Sequence, residues 1–398
     1  MSDTLSRSKC EWKEIELSEI VEFGNGKKKP DSNGDIPIYG GNGILGYSRE
    51  YNYEGETIII GRVGAYCGSV YYENKPIWVS DNALAAKAKV GNSTKFLYYF
   101  LKNANLNQHA GGSSHPLVTQ TLLNSLEYEI CINKSEQHAI ASVLSSLDDK
   151  IDLLHRQNQT LEQMAETLFR EMMSEQDLGR LQDRQDEKEK SCPSNNPDNP
   201  VQDNMEEVDD GWEEGVLGDE FDFTMGQSPP GSSYNEDGIG TPMYQGNRDF
   251  CFRFPENRVF TTEPKRFAEK YDTLISVRAP VGEQNMANEK CCIGRGVAAF
   301  RYKANPAYYS YTYFKMKSLM NEIKQFNETG TVFGSISKND FQEMEVIIPP
   351  IEMVEKFQEE VKPIDDKIIQ NCNQIRTLTA LRDTLLPKLM SGELRVRV

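Results

Sequence analysis

Two hexapeptides about 205 residues apart carry polar groups suited to recognising a partner. They are Pro37-Ile38-Tyr39-Gly40-Gly41-Asn42 and Pro242-Met243-Tyr244-Gln245-Gly246-Asn247. Glycine lets a backbone come close to a partner, and Asn, Gln and Arg side chains hydrogen-bond the edges of nucleic-acid bases in a bidentate way. Around them stand Lys27-Lys28-Lys29, the matching Gln227-Ser228-Pro229, and Arg62 after an isoleucine triplet, aligned with Arg278 after Leu274-Ile275-Ser276-Val277. Two glycine-rich loops follow, Gly112-Ser113-Ser114-His115 and Gly330-Thr331-Val332-Phe333-Gly334-Ser335. The candidate DNA-contacting residues are Lys27, Lys28, Lys29, Tyr39, Gly41, Asn42, Arg62, Ser114 and His115 in the first half. In the second half they are Gln227, Ser228, Gln245, Asn247, Arg248, Arg278, Thr331, Ser335 and Lys338. Each has a plainer reading. Gly-Asn pairs form turns, arginines make structural ion pairs, lysine runs are solvated loops, and a lone histidine is a loop hydrogen-bonder. Lysines at the mouth of a groove would position DNA without reading it.

Bond-making chemistry is poorly represented. The chain has no G-x-x-x-x-G-K-[ST] phosphate loop, no H-x-E…C-x-x-C deaminase pattern and no nucleophile elbow. Asn196-Pro197 and Asn199-Pro200 lack the second proline and the aromatic residue of an amino-methyltransferase motif. The 8 cysteines include no C-x-x-C pair and there are only 4 histidines, so neither a zinc site nor a disulfide framework is expected. No cofactor is expected either. A reducing cytoplasm fits this cysteine usage. Met1-Ser2-Asp3-Thr4 opens no signal-peptide core, and no apolar run approaches the roughly 20 residues needed to span a bilayer. The net charge of -17 argues against phosphate binding until its distribution is read. Residues 174–211 hold 12 acidic and 4 basic residues, whereas 21–130 carry 10 of each sign and 221–348 carry 15 of each. The candidate recognition segments are therefore neutral.

The elements that would position these loops occur twice. Trp12-Lys13-Glu14…Leu17…Phe23…Gly26…Pro30 is repeated without a gap as Trp212-Glu213-Glu214…Leu217…Phe223…Gly226…Pro230, and Asp148-Asp149-Lys150-Ile151 returns as Asp365-Asp366-Lys367-Ile368. A repeat of about 200 residues is a duplicated domain plus helix, not a solenoid unit of roughly 20–50 residues. The spacing predicts strands at 57–60, 77–79, 126–132, 271–277 and 345–348 and helices at 95–103 and 308–326. The fold class expected is α+β: two tandem strand-rich α/β domains, each followed by a long helix. The boundaries read as a first domain 1–134, a helix 135–173, an acidic flexible linker 174–211, a second domain 212–350, a second helix 351–392 and a tail 393–398. Trp12 and Trp212 read as core anchors.

Ile140, Leu144, Leu147, Ile151, Leu154, Asn158, Leu161, Ala165, Leu168 and Met172 step alternately by four and three, the 3.5-residue period of a coiled coil. Phe357, Val361, Ile364, Ile368, Asn371, Ile375, Leu378, Arg382, Leu385 and Leu389 repeat the pattern. The first helix would be roughly 55–60 Å long. Pro363 is expected to kink or restart the second. The two stripes most simply pair as an antiparallel coiled coil. Facing residue numbers then sum to about 529, which sets Asn158 against Asn371 as a register-fixing polar pair; the alternative is two tolerated polar residues in a wet seam.

This order of parts resembles the specificity subunit of type I restriction-modification enzymes. The resemblance rests on the openings at Trp12 and Trp212, the Pro-aromatic-Gly loops at 37–42 and 242–247, and Arg62 and Arg278. It rests also on the junction Val346-Ile347-Ile348-Pro349-Pro350-Ile351-Glu352 and the closing Leu385-Leu386-Pro387-Lys388-Leu389-Met390-Ser391-Gly392-Glu393-Leu394. It covers nearly the whole chain. The first junction, Cys131-Ile132-Asn133-Lys134-Ser135, departs from it by lacking Pro-Pro. The resemblance implies two target-recognition domains, each reading half of a bipartite asymmetric site on double-stranded DNA, with the paired helices as a ruler. It implies docking to two DNA methyltransferase subunits, which supply the S-adenosylmethionine site, and to restriction/translocase subunits. The chain itself would be non-catalytic. Two other classes stay open from the residues alone: an enzyme with unrecognised motifs, and a duplicated protein- or glycan-binding module that dimerises through its helices.

Overall fold

The computed structural model describes residues 12–30, 33–111, 116–190, 211–326 and 334–396, with the backbone only of 174–190. It divides into two units, Met1–Leu153 with Ile375–Val398, and Leu154–Gln374.

In the first unit, β1 (Trp12–Glu16) leads through the one-turn helix α1 (Leu17–Ile20) into β2 (Val21–Asn25), β3 (Ile36–Gly40), β4 (Gly43–Ser48), β5 (Thr57–Gly61), β6 (Val70–Glu73), β7 (Trp78–Val79) and β8 (Ala83–Ala88). Helix α2 (Thr94–Asn103), helix α3 (Gln120–Asn124) and β9 (Glu127–Cys131) complete it before the long helix α4 (Lys134–Lys190). β2, β8, β5 and β6 form one sheet in that order, β4, β3 and β7 a second, and β1 pairs with β9. The central Ile58, Ile59 and Ile60 are fully buried, so both faces of β5 are covered. Ser93 caps α2 by accepting from the Phe96 N–H at 3.3 Å, and Thr119 caps α3 by accepting from the Leu122 N–H at 3.1 Å. The core joins Leu17, Phe96, Leu97, Leu101 and Ile130 to Ile140 and Leu144 of α4 and to Leu389 and Met390.

The second unit repeats this plan. β10 (Glu213–Val216), α5 (Leu217–Glu220), β11 (Phe221–Met225), β12 (Tyr234–Asn235) and β13 (Thr241–Tyr244) are followed by β14 (Phe260–Thr261), β15 (Phe267–Ala268), β16 (Thr273–Ser276), β17 (Gln284–Met286), β18 (Cys291–Ile293) and β19 (Val297–Tyr302). Helices α6 (Tyr309–Ser318), α7 (Met320–Gln325) and α8 (Lys338–Gln342), strand β20 (Glu345–Ile348) and helix α9 (Ile351–Met390) close the chain. The sheet β11-β19-β16-β17 has the order of β2-β8-β5-β6, and β10 pairs with β20 as β1 does with β9. The parallel pairing of β3 with β7 recurs in β13 with β18. The second sheet differs: β12, β14, β13, β18 and β15 replace β4, β3 and β7, using the longer excursion between β13 and β16.

Three expectations are corrected. Helix α4 runs to Lys190, 57 residues in all, and not to 173. The first part of the expected linker is thus helical; residues 174–190 are rich in Glu, Gln, Lys and Arg, contain Gly179 as their one breaker, and precede Pro193, the first proline after the start of α4. The rest, 191–210, lies outside the described residues. The helix expected over 308–326 is divided at Leu319 into α6 and α7. Pro363 neither ends nor restarts α9, which is continuous over 40 residues. Buried neighbours on the same helix, Phe357, Val361 and Ile368, supply packing that offsets the lost backbone bond. Trp212 is buried and Trp12 half-buried against its core, as anchors should be.

Candidate nucleic-acid interface

Backbone hydrogen bonds fix which residues of the two repeats are equivalent. Gly26 N–H donates to Ala83 O at 3.2 Å and Gly226 N–H to Val297 O at 2.9 Å; Lys27 N–H donates to Val79 O and Gln227 N–H to Ile293 O, each at 2.9 Å. Ser80 N–H donates to Tyr39 O, and Gly294 N–H to Tyr244 O, each at 2.8 Å. A Cβ on Gly26 would lie 1.8 Å from Ser80 O and one on Gly226 2.1 Å from Gly294 O, so both copies need glycine for this close approach. The candidate loops 25–30, 40–43 and 80–83 thus gather at one end of the first unit's sheets, and 226–230, 245–249 and 294–297 at the same end of the second's.

Arg62 and Arg278 are not equivalent. Arg62 N–H donates to Asn82 O at 3.0 Å, and it is Val277 N–H that donates to the matching Gly296 O at 2.9 Å. Val118 N–H donates to Arg62 O, and Ile336 N–H to Val277 O. Val63 bridges Leu117 as Arg278 bridges Ser335. Arg278 therefore matches Val63, one residue on from Arg62. In extended chain a one-residue offset reverses the face a side chain occupies. Accordingly Arg62 is half-buried, with its Nε buried and unpartnered among the described residues, while Arg278 is exposed.

Arg278 lines an open cleft of about 630 Å³ with Met225, Gly226, Arg295, Ser335 and Ser337. Among the described residues neither Arg278 nor Arg295 has an ion pair, so two unneutralised guanidinium groups face this space. Ser228 is built into the rim: its hydroxyl donates to Gln245 Oε1 at 2.8 Å and accepts from Arg295 N–H at 3.2 Å, and Gln245 Nε2 donates to Tyr234 Oη at 2.7 Å. Gln227 and Arg248 are exposed and Asn247 half-exposed. Lys338 is the exposed first residue of α8, where Ser337 and Asp340 form a capping box. Its charge gains nothing from the helix dipole at that end.

In the first unit Lys27, Lys28, Lys29 and Asn42 are exposed and Gly41 half-exposed; Lys29 Nζ reaches Leu45 O at 3.4 Å. Tyr39 sits in the core, 7% exposed, with its hydroxyl donating to Glu73 at 3.3 Å; burial and that carboxylate push its pKa up to about 12. It packs against the sheet. Ser114, His115 and Thr331 lie outside the described residues. Arg295 and its counterpart Asp81 escaped the sequence reading, because neither belongs to a matching phrase.

The two asparagines meet. Asn371 Nδ2 donates to Asn158 Oδ1 at 2.9 Å, and both are fully buried. Asn158 Nδ2 reaches Cys372 Sγ at 3.4 Å. Four residues from Asn158, Glu162 accepts from Arg253 Nη2 at 2.6 Å; the same nitrogen lies 3.1 Å from Asp365. The Arg253 guanidinium stacks 3.8 Å over the Tyr313 ring. Burial works against its charge, but Asp365, Tyr313 and Glu162 outweigh burial and hold its pKa above the usual range. Among the described residues no cluster of His, Cys, Asp and Glu could hold a metal ion, and no helix is long and apolar enough to cross a membrane.

Comparison with known proteins agrees with this duplicated plan. The family model of the type I restriction modification DNA specificity domain matches twice, at residues 9–163 and 209–378. The MjaIX type I restriction enzyme specificity subunit of Methanocaldococcus jannaschii is 25% identical over 440 aligned positions, covering 97% of this chain and 94% of that one. The chain named as the MjaX specificity subunit of the same organism is 29% identical over 264 residues, 66% of this chain and 58% of that relative's length. The crystal structure of a type I restriction-modification S subunit from M. genitalium superposes with a TM-score of 0.64 over 97% of each chain at 22% identity, a likeness of fold.

Proposed function

Since the chain belongs to the type I restriction-modification DNA specificity family, we propose that it is the non-catalytic subunit that reads a bipartite, asymmetric double-stranded DNA site. Each repeat reads one half-site through the loops at one end of its sheets. The observation that carries this reading is the pairing of a shared backbone with unlike exposed residues: Lys27 against Gln227 and Val63 against Arg278 at register-matched positions. Two halves of different sequence call for such divergence on a common scaffold. Helices α4 and α9 pair as an antiparallel coiled coil that sets the half-site spacing, with Asn158 and Asn371 fixing its register. The hydrogen bond between these asparagines supports that pairing. The chain assembles two methyltransferase subunits and the restriction/translocase subunits, carries no cofactor of its own, and acts in the cytoplasm.

The test is to express the full chain with its methyltransferase partner and map methylated sites across a genome. The expected outcome is one two-part motif with a fixed gap. Inserting seven residues into both heptad stripes at matching positions should lengthen the gap or abolish methylation; an unchanged gap would refute the ruler.

A further inference from the structure

The turns 80–83 and 294–297 are built alike. Ala83 N–H donates to Ser80 O and Val297 N–H to Gly294 O, each at 3.0 Å, and each turn is clasped by the glycine of the preceding loop. At the same step of these two turns stand residues of opposite charge, Asp81 in the first repeat and Arg295 in the second. Both are exposed, and neither has an ion pair among the described residues. Arg295 borders the cleft that Arg278 and Ser335 line, and its backbone is pinned by Ser228. Asp81 has Lys27 beside it across the sheet end, since Lys27 bridges Ser80. An unpaired charge repeated in place but reversed in sign does not stabilise the fold. It alters what the same backbone can bind.

Resting on the DNA-reading function above, we infer that Asp81 and Arg295 are equivalent specificity-determining residues, one in each half-site reader, with opposite base preference. Arg295 carries only donors, in a planar fork matched to the O6 and N7 acceptors of guanine; the Asp81 carboxylate carries only acceptors, suited to the N4 amino group of cytosine. The phosphates on either side repel Asp81 and attract Arg295. Lys27, Lys28 and Lys29 supply the compensating cations in the first repeat. The second repeat has none in the matching loop, Gln227-Ser228-Pro229.

The test uses the full chain purified with its methyltransferase partner, acting on duplexes randomised across both half-sites, with methylated products sequenced. Arg295→Ala should level the base preference at one position of one half-site, by roughly 5- to 150-fold in discrimination, and leave the other half untouched. Asp81→Ala should do the same in the other half. Arg295→Lys separates reading from simple attraction: it keeps the charge but loses the fork, so the preference should fall while the salt dependence of binding stays. A uniform loss at all positions, a change in both halves, or full preference retained in Arg295→Ala would overturn the assignment. If the unmodified complex yields no two-part motif, the DNA-reading function fails first and this assignment with it.

Discussion

Asp148 and Asp365 open the same repeated phrase, yet each unit uses its aspartate differently. In the first unit Asp148 is partly exposed, accepts from the Tyr99 hydroxyl at 2.6 Å, and pairs with Arg382 Nη1 at 2.9 Å. In the second unit Asp365 is wholly buried. It accepts from the Ser310 hydroxyl at 2.8 Å and shares Arg253, itself 0% exposed in its side chain, with Glu162. Arg253 comes from the excursion between β13 and β16, which the first repeat replaces with the short hairpin β3–β4. Its backbone has φ 64, and Met286 N–H donates to its carbonyl at 2.9 Å. The extra loop thus enters the helix seam and anchors a recognition domain there through a buried ion triad. The lesson concerns burial: one phrase gives a solvent-screened pair in one unit and a desolvated cluster in the other.

The largest expected effect breaks or keeps that contrast. Arg253→Met leaves Asp365 as a buried carboxylate without its cation, while Glu162 keeps Lys317 at 2.7 Å, a loss of about 3–5 kcal/mol. Asp148→Asn removes a pair whose side chains are 19% and 23% exposed but keeps an oxygen for the Tyr99 hydroxyl, so it should cost less, about 1–2 kcal/mol. Denaturant midpoints of the two variants check this. Similar losses would mean that the two sites are equally screened. Replacing Arg253, Glu162 and Asp365 together with apolar residues of similar volume should recover most of the loss, since the cost lies in unpaired buried charge.

The seam asparagines carry the next effect. Asn371→Leu leaves the buried Asn158 carbonyl without its donor and should destabilise by about 1–3 kcal/mol. Leucine at both positions removes both polar groups and should restore or raise stability while loosening the register. A double-mutant cycle measures this coupling. Additive losses would show that the two amides do not act as a pair.

Much of this was legible in the sequence, and what was missed has a physical reason. The repeat, the helix stripes and the Asn158–Asn371 match depend on periodicity, which a single chain displays. The Arg62–Arg278 alignment failed because the repeats drift between elements: Phe23 matches Phe223, Tyr39 matches Tyr244, and Gly61 matches Ser276, as their ladders show. Loops of unequal length absorb the difference, so matching one arginine to another chose the wrong register by one. Arg253 was invisible because its loop has no counterpart to align with, and its partners are distant in sequence. Asp81 and Arg295 differ in type, so only backbone hydrogen bonds reveal that they correspond.

The smallest effect refines the comparison within the phrase itself. Burial pushes the Asp365 carboxyl above its ordinary pKa, against the pull of Arg253 and Ser310. At the next residue burial acts the same way on Asp366, but Lys362 at 2.5 Å and the Tyr309 hydroxyl at 2.7 Å outweigh it and hold Asp366 below the ordinary 3.8. The signs of linkage are therefore opposite. A lowered carboxyl stabilises the fold above its unfolded pKa, and that increment is lost as pH falls through its folded value. A raised one stabilises below the unfolded pKa and loses the increment as pH rises through its folded value. The Asp366 side chain is 50% exposed, so solvent screening keeps its share below about 1 kcal/mol. Asp366→Asn should thus be slightly less stable than the parent at neutral pH, and the gap should close as pH drops below 3.8. A gap that stays constant through acid would show that Asp366 contributes through its hydrogen bond to Tyr309 and not through its charge.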